Sequence, residues 1–413
     1  MAASSRAWKT THAGARTTVG DSFTVMSYNG LADTLLHRHP HLYRHLPHNL
    51  LAWAVRVKAI GDEISRFSPD VVCLQEVEPS AFKNDFQKML EKDYKGIYCR
   101  RLGDAVDGCA LFYRTDKIKL MHSENLNFKA LTQKDNVALL AVLQLRPFKS
   151  QTTPPISFSP LISYPCEQLS KNYGHLSTII TGDFNMTEES VMYHYMRTGE
   201  TEPFLFHENY SSGQNRITAN GNPTPYCYPY DILEERKHIR SSGDASKCIP
   251  LIRPQAAADQ RVLDFCGGSD GLMRHNFKFE DAILGNRHGD TRYYSTCHAA
   301  GQQLVDFIFF SPPPTTPSKS DSSSSLASSS SSDTLVSSSP SSTLTVLQYL
   351  EPPIIQLDGR NDSDSHHGAK RNHGHRHHGQ QAYRKAQNHP KDQMPRRGVP
   401  SDHIPLVVEF GFI

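Results

Sequence analysis

The sequence predicts an α/β domain, with strands and helices in alternating layers and a site at the strand ends. In the first half of the chain, short apolar runs of strand character alternate with stretches whose apolar residues recur at helical spacing. Several of those runs end on polar residues, among them Asn29, Glu76 and Asp183. Strand ends are where α/β folds collect their ligands.

The first strand is Phe23 to Tyr28, and it ends on Asn29-Gly30. A His-rich connection, His37 to His48, leads into a helix predicted from about Asn49 to Phe67. There Leu50, Trp53, Val57, Ile60 and Ile64 recur every three or four residues, which is one helix face. Ser68-Pro69-Asp70 ends the helix, and Val71 to Leu74 follows as a fully apolar strand running into Gln75-Glu76. Another helix starts near Pro79, and strands are predicted at Tyr94–Tyr98, Cys109–Tyr113 and Val137–Leu145. The strand Thr178–Thr181 runs into Gly182-Asp183-Phe184-Asn185, with a helix around Glu188 to Met196. Thr198 to His288 reads as loop-rich; strands return at Leu304–Phe310 and, directly after Ser401-Asp402-His403, at Ile404–Phe410.

The chain has 413 residues, 37% of them hydrophobic, which is low enough that part of the length is expected to be disordered. Ser318 to Thr343 is dominated by Ser, and His366 to His378 sets six His among Gly, Arg and Asn, so inserts are expected at about 315–345 and 358–398 of a domain covering 21–413. Residues 1–20 carry basic, Ser and Thr residues and no acid, the composition of a disordered tail or a mitochondrial targeting segment. The 44 basic and 42 acidic residues nearly cancel, so any nucleic-acid groove must be local. The eight cysteines form neither a CxxC pair nor a dense disulfide framework, and Cys73 and Cys109 lie in apolar runs. Buried thiols fit a reducing, intracellular setting, cytoplasmic or nuclear. No apolar stretch approaches the roughly 18 residues of a spanning helix, so no membrane association is expected.

A phosphate-ester hydrolase needs a hard cation held by oxygen ligands, a group to aim or deprotonate water, and donors for the charge of the transition state. Glu76 at a strand end suits the cation, although a strand-end Glu also faces solvent in many proteins, and Asn29-Gly30 also suits a turn. In Gly182-Asp183-Phe184-Asn185 the strand alternation places Asp183 and Asn185 on one side, about 7 Å apart, with Phe184 packed on the other. Ser401-Asp402-His403 adds a carboxylate and an imidazole. Asp306, inside the apolar run Leu304–Phe310, is costly to bury unless paired, and a histidine ring N–H is the natural partner.

Taken in order, Ser-Tyr-Asn, Leu-Gln-Glu, Gly-Asp-Phe-Asn, Asp-Phe-Ile-Phe and Ser-Asp-His-Ile-Pro-Leu resemble the motifs of the endonuclease/exonuclease/phosphatase superfamily, specifically its carbon-catabolite-repressor-type deadenylase branch. Met26–Asn29, His41–His45, Val71–Val77, Asp107–Ala110 and Asp135–Leu139 look most like the Angel proteins. The resemblance implies a four-layer α/β/β/α sandwich of the DNase I-like kind. It also implies Mg²⁺, or Mn²⁺ in its place, at Glu76 with Asn29 and Asp402 close by. Asp183 would position or activate the attacking water, Asn185 and Asn136 would contact the substrate, and Asp306 would orient His403 to stabilise the pentacovalent phosphorus. Substrates in that branch are RNA 3′ ends, either poly(A) tails or 2′,3′-cyclic phosphates, with mRNA-decay or translation factors as partners.

One part of the pattern departs from the branch. Relatives carry a strand ending in Thr-His-Leu before the Gly-Asp-Phe-Asn strand, and its histidine meets the phosphate. Arg146 to Ser177 contains no Thr-His-Leu, is rich in Pro, and holds His175 alone, in a turn. A central strand is therefore expected to be lacking. Three functional readings result: a Mg²⁺ phosphodiesterase acting on RNA, a catalytically impaired RNA- or protein-binding relative, and a lipid or inositol-phosphate phosphatase.

Overall fold

Two mixed β-sheets packed face to face bring the polar strand ends together. The structure is a computed structural model and describes residues 6–16, 21–129, 134–146, 156–158, 172–173, 176–201, 273–298 without 276, 278, 288 and 290, 301–311, 344–354, and 394–412 without 397 and 398. In chain order its early elements are β1 (Trp8–Thr10), α1 (His12–Arg16), β2 (Ser22–Asn29), α2 (Asp33–Arg38), α3 (Pro40–Tyr43), α4 (His48–Leu51), α5 (Trp53–Phe67) and β3 (Val71–Val77). Then come α6 (Pro79–Ala81), a π-helical turn (Phe82–Phe86), α7 (Gln87–Leu90), β4 (Tyr94–Arg100), β5 (Gly108–Arg114), β6 (Ile118–Asn127), β7 (Val137–Leu145), β8 (Ile156–Phe158), β9 (Ser177–Asp183) and α8 (Val191–Thr198). The last elements are β10 (Glu200–Thr201), β11 (Met273–Arg274), β12 (Glu280–Asp281), a 3₁₀ turn (Leu284–Asn286), β13 (Thr296–His298), β14 (Gly301–Gln303), β15 (Asp306–Phe310), β16 (Leu344–Leu350) and β17 (Leu406–Phe412).

The first sheet runs β1-β16-β17-β2-β3-β5-β4, and the second runs β12-β15-β9-β8-β7-β6. β2 and β3 are parallel, joined through α5, and antiparallel pairs flank them. Strand alternation splits β2 between two cores. Phe23 and Val25 point into the core between the sheets, with Val71, Leu111, Leu139, Ala141, Ile179 and Ile308. Met26 and Tyr28 point outward, where Val57, Ile60 and Ile64 of α5 and Phe86 of the π turn cover them. On the far side, Tyr193 of α8 packs on Phe307 and Phe309, with ring centroids 5.4 and 5.6 Å away. The order helix, sheet, sheet, helix is the sandwich that the resemblance implies.

Several boundaries differ from the sequence reading, each for a local reason. The helix expected over 49–67 is two helices, because Ala52 is extended (φ −59°, ψ 129°). That break leaves the Leu51 carbonyl outside the helical ladder, where it accepts from Arg56 Nε at 3.0 Å. The helix then ends as Ser68-Pro69 requires: Ser68 is left-handed (φ 43°), and its N–H donates to Ile64 O. β6 went unread because its outer positions are largely exposed and its pattern is polar.

Part of the segment expected to be a disordered or targeting tail is strand and helix. Trp8–Thr10 pairs antiparallel with Gln348–Leu350, and Arg6 donates to the carbonyls of Glu351, Pro405 and Leu350. Composition hides this, since an edge strand needs backbone partners more than apolar side chains. Likewise Leu344 opens β16 inside the region expected to be insert; apart from 344–345 and 394–396, the two inserts lie outside the described residues, as does His175.

The interval in which a central strand is expected to be lacking holds a three-residue strand. Ile156–Phe158 lies between β7 and β9, antiparallel to the first and parallel to the second. The described pairing covers three residues.

Candidate active site

Backbone geometry converts strand ends into a cluster. The β3–β5 register slips between Leu74 and Val77, and Glu76 takes a positive φ of 53°. This bulge turns its carboxylate toward the end of β2. Asn29, almost fully buried there, uses its amide as a bridge: Nδ2 donates to Glu76 Oε1 and to Asp183 Oδ2, both at 3.0 Å. Its amide oxygen accepts from the Leu31 N–H at 2.9 Å. Asn29 thus joins an acid of the first sheet to an acid of the second. Glu76 Oε2 accepts from the Ala32 N–H at 3.2 Å.

Asp183 and Asp306 are directly opposed on the antiparallel strands β9 and β15. Two neighbouring carboxylates repel, and the His403 ring lies between them. Nδ1 is 2.7 Å from Asp306 Oδ2, and Nε2 is 3.7 Å from Asp183 Oδ2. The carboxylate–histidine pairing expected for Asp306 is therefore the contact the fold makes. Burial works against the charged ring, but Asp306 and Asp183 outweigh it and hold the His403 imidazolium well above the ordinary histidine range. Asp183 is pushed up to about 6, chiefly by burial, against the pull of His403. Glu76 is pushed up to about 7 by burial and then by the charge of Asp402.

The loop ahead of β17 is fixed from the end of β2 and from the β13–β14 ribbon. Ser401 Oγ donates to Asn29 O at 2.7 Å and accepts from the His403 N–H at 3.2 Å. The Asp402 carbonyl accepts from Thr296 Oγ1 and from the Cys297 N–H. Ser295 Oγ accepts from the N–H groups of Val305 and Asp306. The Asp402 side chain has one satisfied oxygen: Tyr43 OH donates to Oδ2 at 2.7 Å, while Oδ1 is buried without a partner.

Asn185 differs from the alternation that the sequence suggests. β9 stops at Asp183, Asn185 is left-handed (φ 50°), and its N–H donates to Asp183 Oδ1 at 2.9 Å. A tight turn, not a strand step, sets the two side by side, with Asn185 exposed at the mouth. Phe184 packs edge-on against Phe307 and Phe309, the side opposite the site, as expected. Asn136 stands apart from the other named residues. It is exposed at the start of β7, its Oδ1 accepts from Arg101 Nη2 at 3.1 Å, and its carbonyl accepts from the Phe128 N–H.

Sequence reasoning passed over three residues that build this cluster: Tyr43, Ser295 and Arg56. Arg56 is wholly buried and donates to the carbonyls of Gly30, Leu31 and Leu51 and to Asp33, pinning the turn that follows Asn29. A basic residue among the apolar positions of an amphipathic helix was the available signal. Ser295 sits in a polar connection with no periodic pattern, and Tyr43, although inside the Angel-like run His41–His45, carries no sequence signal of its contact with Asp402.

Among the described residues, no three His, Cys, Asp or Glu side chains converge to hold a metal by themselves. Mg²⁺ does not need such a cage, since one or two carboxylates with water suffice. Glu76 and Asp402 offer that pair: burial disfavours the Glu76 anion, and Asp402 Oδ1 lacks a partner, so a hard cation would relieve both. The residues fit the ion.

Comparisons with known proteins give the family and the fold. "Carbon catabolite repressor protein 4 homolog 3" of Arabidopsis thaliana is 32% identical over 232 residues, covering 52% of this chain and 49% of that protein. "Protein angel homolog 2" of Bos taurus is 27% identical over 328 residues, covering 70% of this chain and 58% of the relative. The chain thus spans about half the length of these curated relatives. Among solved structures, the crystal structure of ANGEL2, described as a 2′,3′-cyclic phosphatase, in complex with adenosine-2′,3′-vanadate superposes with a TM-score of 0.61 at 20% identity, covering 98% of each chain. That likeness establishes the DNase I-like fold. The family model "Endonuclease/Exonuclease/phosphatase family" matches residues 26–403, from the strand that carries Asn29 to the histidine that ends the cluster, and the chain belongs to that family.

Proposed function

We propose that this chain is a Mg²⁺-dependent phosphodiesterase acting at RNA 3′ ends, and that it opens terminal 2′,3′-cyclic phosphates or removes 3′ nucleotides. The observation that carries the reading is the continuous chain Glu76–Asn29–Asp183–His403–Asp306, with every link made by side chains. Mg²⁺, or Mn²⁺, would be held by Glu76 and Asp402 beside Asn29, and when bound it would neutralise the scissile phosphate. The remaining chemistry belongs to the protein. Asp183, raised to about 6, is an acceptor matched to neutral pH and takes the proton of an attacking water or hydroxyl. Asp306 accepts from His403 Nδ1–H, which aims Nε2–H into the site, 3.7 Å from Asp183 Oδ2, where it donates to a phosphoryl oxygen as charge builds there. Asn185, exposed beside Asp183, donates to a second phosphate oxygen. The RNA class is supported by the relatives' names and by the ANGEL2 description. Action inside the cell fits the free thiols Cys73, Cys99 and Cys297, all buried.

The test is incubation of the full chain and Mg²⁺ with a 3′-labelled RNA ending in 2′,3′-cyclic phosphate and, in parallel, with a 3′-oligo(A) RNA. Opening of the cyclic end or stepwise shortening is expected. Glu76→Gln and His403→Ala should each reduce the rate by roughly 10² to 10⁴. RNA binding without turnover in the wild type would move the chain to the impaired, RNA-binding reading. Turnover of inositol phosphates alone would move it to the lipid-phosphatase reading.

A further inference from the structure

The short helices between β2 and α5 carry an exposed cluster that the hydrolytic chemistry does not use. From Leu31 to Ala52 the sole acid is Asp33, and it is engaged: Arg56 Nη2 donates to Oδ1 at 3.1 Å, and His37 Nδ1 lies 3.7 Å from Oδ2. Facing solvent on the same stretch are Arg38, His39, His41, Arg44, His45 and His48. Neither Arg38 nor Arg44 has an ion-pair partner among the described residues.

This stretch has its own core and a fixed position. Leu31, Leu36, Tyr43 and Leu51 pack together, with Leu42 and Leu46 against them. It is tied to the site twice, by Tyr43 OH donating to Asp402 Oδ2 at 2.7 Å and by Arg56 donating to Gly30 O and Leu31 O. A ridge of guanidinium and imidazole groups is therefore held one tyrosine side chain away from Asp402. The chain as a whole has a formal charge of only +2, so attraction for a polyanion has to come from a local feature of this kind. Guanidinium forks match phosphate oxygens, and flat imidazole rings stack on bases that are not paired.

Resting on the reading that the substrate is an RNA 3′ end, we propose that this ridge is the binding track for the single-stranded RNA leading into the site. Arg38 and Arg44 take backbone phosphates, and His39, His41 and His45 stack against bases. The experiment uses the full chain with Mg²⁺ removed by EDTA and a fluorescent single-stranded RNA of about twelve nucleotides, read by anisotropy over a salt series. The double variant Arg38→Ala/Arg44→Ala should bind about tenfold more weakly, with a log–log salt slope shallower by about 1.4. The triple variant His39→Ala/His41→Ala/His45→Ala should lose several-fold in affinity at unchanged slope. With Mg²⁺ restored, both variants should open adenosine 2′,3′-cyclic phosphate, which has no upstream nucleotide for the ridge to hold, at the wild-type rate. Affinities within about twofold of wild type at equal slope, with hydrolysis intact, overturn the track and leave the phosphodiesterase reading standing. A wild type that neither binds nor hydrolyses RNA removes both. An equal loss of poly(glutamate) binding in the double variant reassigns the ridge to acidic protein partners.

Discussion

Tyr43 is the residue that shows how far a site can extend beyond its motif. Its hydroxyl donates to the Asp402 carboxylate, and the ring belongs to the small core of the helical ridge. Its own ionisation is pushed far up, first by burial and then by Asp402, so it remains a donor throughout the working pH range. Tyr43→Phe removes the donor and keeps the ring. The carboxylate should then be freer to rotate, so the variant is expected to need about tenfold more Mg²⁺ for half-maximal rate, with a smaller change in kcat. A Mg²⁺ titration of activity, paired with Mg²⁺-dependent melting, checks this; an unchanged Mg²⁺ requirement in a folded variant rejects the role. Asp306 was legible because an acid inside an apolar strand needs a partner, whereas Asp183 and His403 were picked out by the motifs Gly-Asp-Phe-Asn and Ser-Asp-His. Tyr43 was not, because its role depends on a contact 359 positions away in sequence. The left-handed turn at Asn185 was also hidden, since Asp-Phe-Asn after a strand reads equally well as one more strand step.

At the scale of elements, β12 and the 3₁₀ turn after it depend on Asp281. Its Oδ1 accepts from the N–H groups of Ile283 and Leu284, both at 2.9 Å, and Tyr193 OH donates to Oδ2 at 3.2 Å. Burial pushes this acid up to about 6 despite those donors. Its folded value lies above the unfolded one of about 3.9, so the folded state binds the proton more tightly. Stability from this group is complete below about pH 4, falls as pH rises through about 6, and is lower above that by at most about 3 kcal/mol. Asp281→Asn keeps the accepting oxygen and cannot ionise. Urea denaturation at pH 4.5 and pH 8 should show the variant gaining on wild type at the higher pH; a difference independent of pH would contradict the assignment. The edge strand β1 offers a second check. Deleting residues 1–10 removes three ladder residues and the three Arg6 bonds, and exposes the edge of β16. Weaker stability by roughly 2 kcal/mol and concentration-dependent association are expected, read by melting and light scattering. Strongly apolar strands such as β3, β7 and β9 were readable from sequence, but β1, β6 and β8 were not, being short, polar or bracketed by Pro.

Over the whole molecule, the two sheets meet through buried acids, and this makes folding and cation binding one equilibrium. Strand patterns alone could not give that arrangement, since they indicate which residues are buried but not which sheet pairs with which; the resemblance supplied it. Asn29 spans the sheets by donating to Glu76 and Asp183, and Ser401 closes the same joint from β17's loop. Without a cation, Glu76 at about 7 and Asp183 at about 6 both stand above their unfolded values, so each loses stability as pH rises through those figures. A divalent ion favours the ionised Glu76 and should recover that loss, by about 2.7 kcal/mol at a hundredfold excess over its Kd. At pH 6 the proton competes with the ion for Glu76, whereas at pH 8 it does not. Mg²⁺ should therefore raise the melting temperature more at pH 8 than at pH 6, and EDTA should reverse the rise. In Glu76→Gln the neutral amide removes both the ligand and the penalty, so the metal-free variant should melt higher than wild type at pH 8 and respond weakly to Mg²⁺. A Mg²⁺ response of equal size in wild type and Glu76→Gln would place the ion elsewhere and separate the stability of this joint from the chemistry assigned to it.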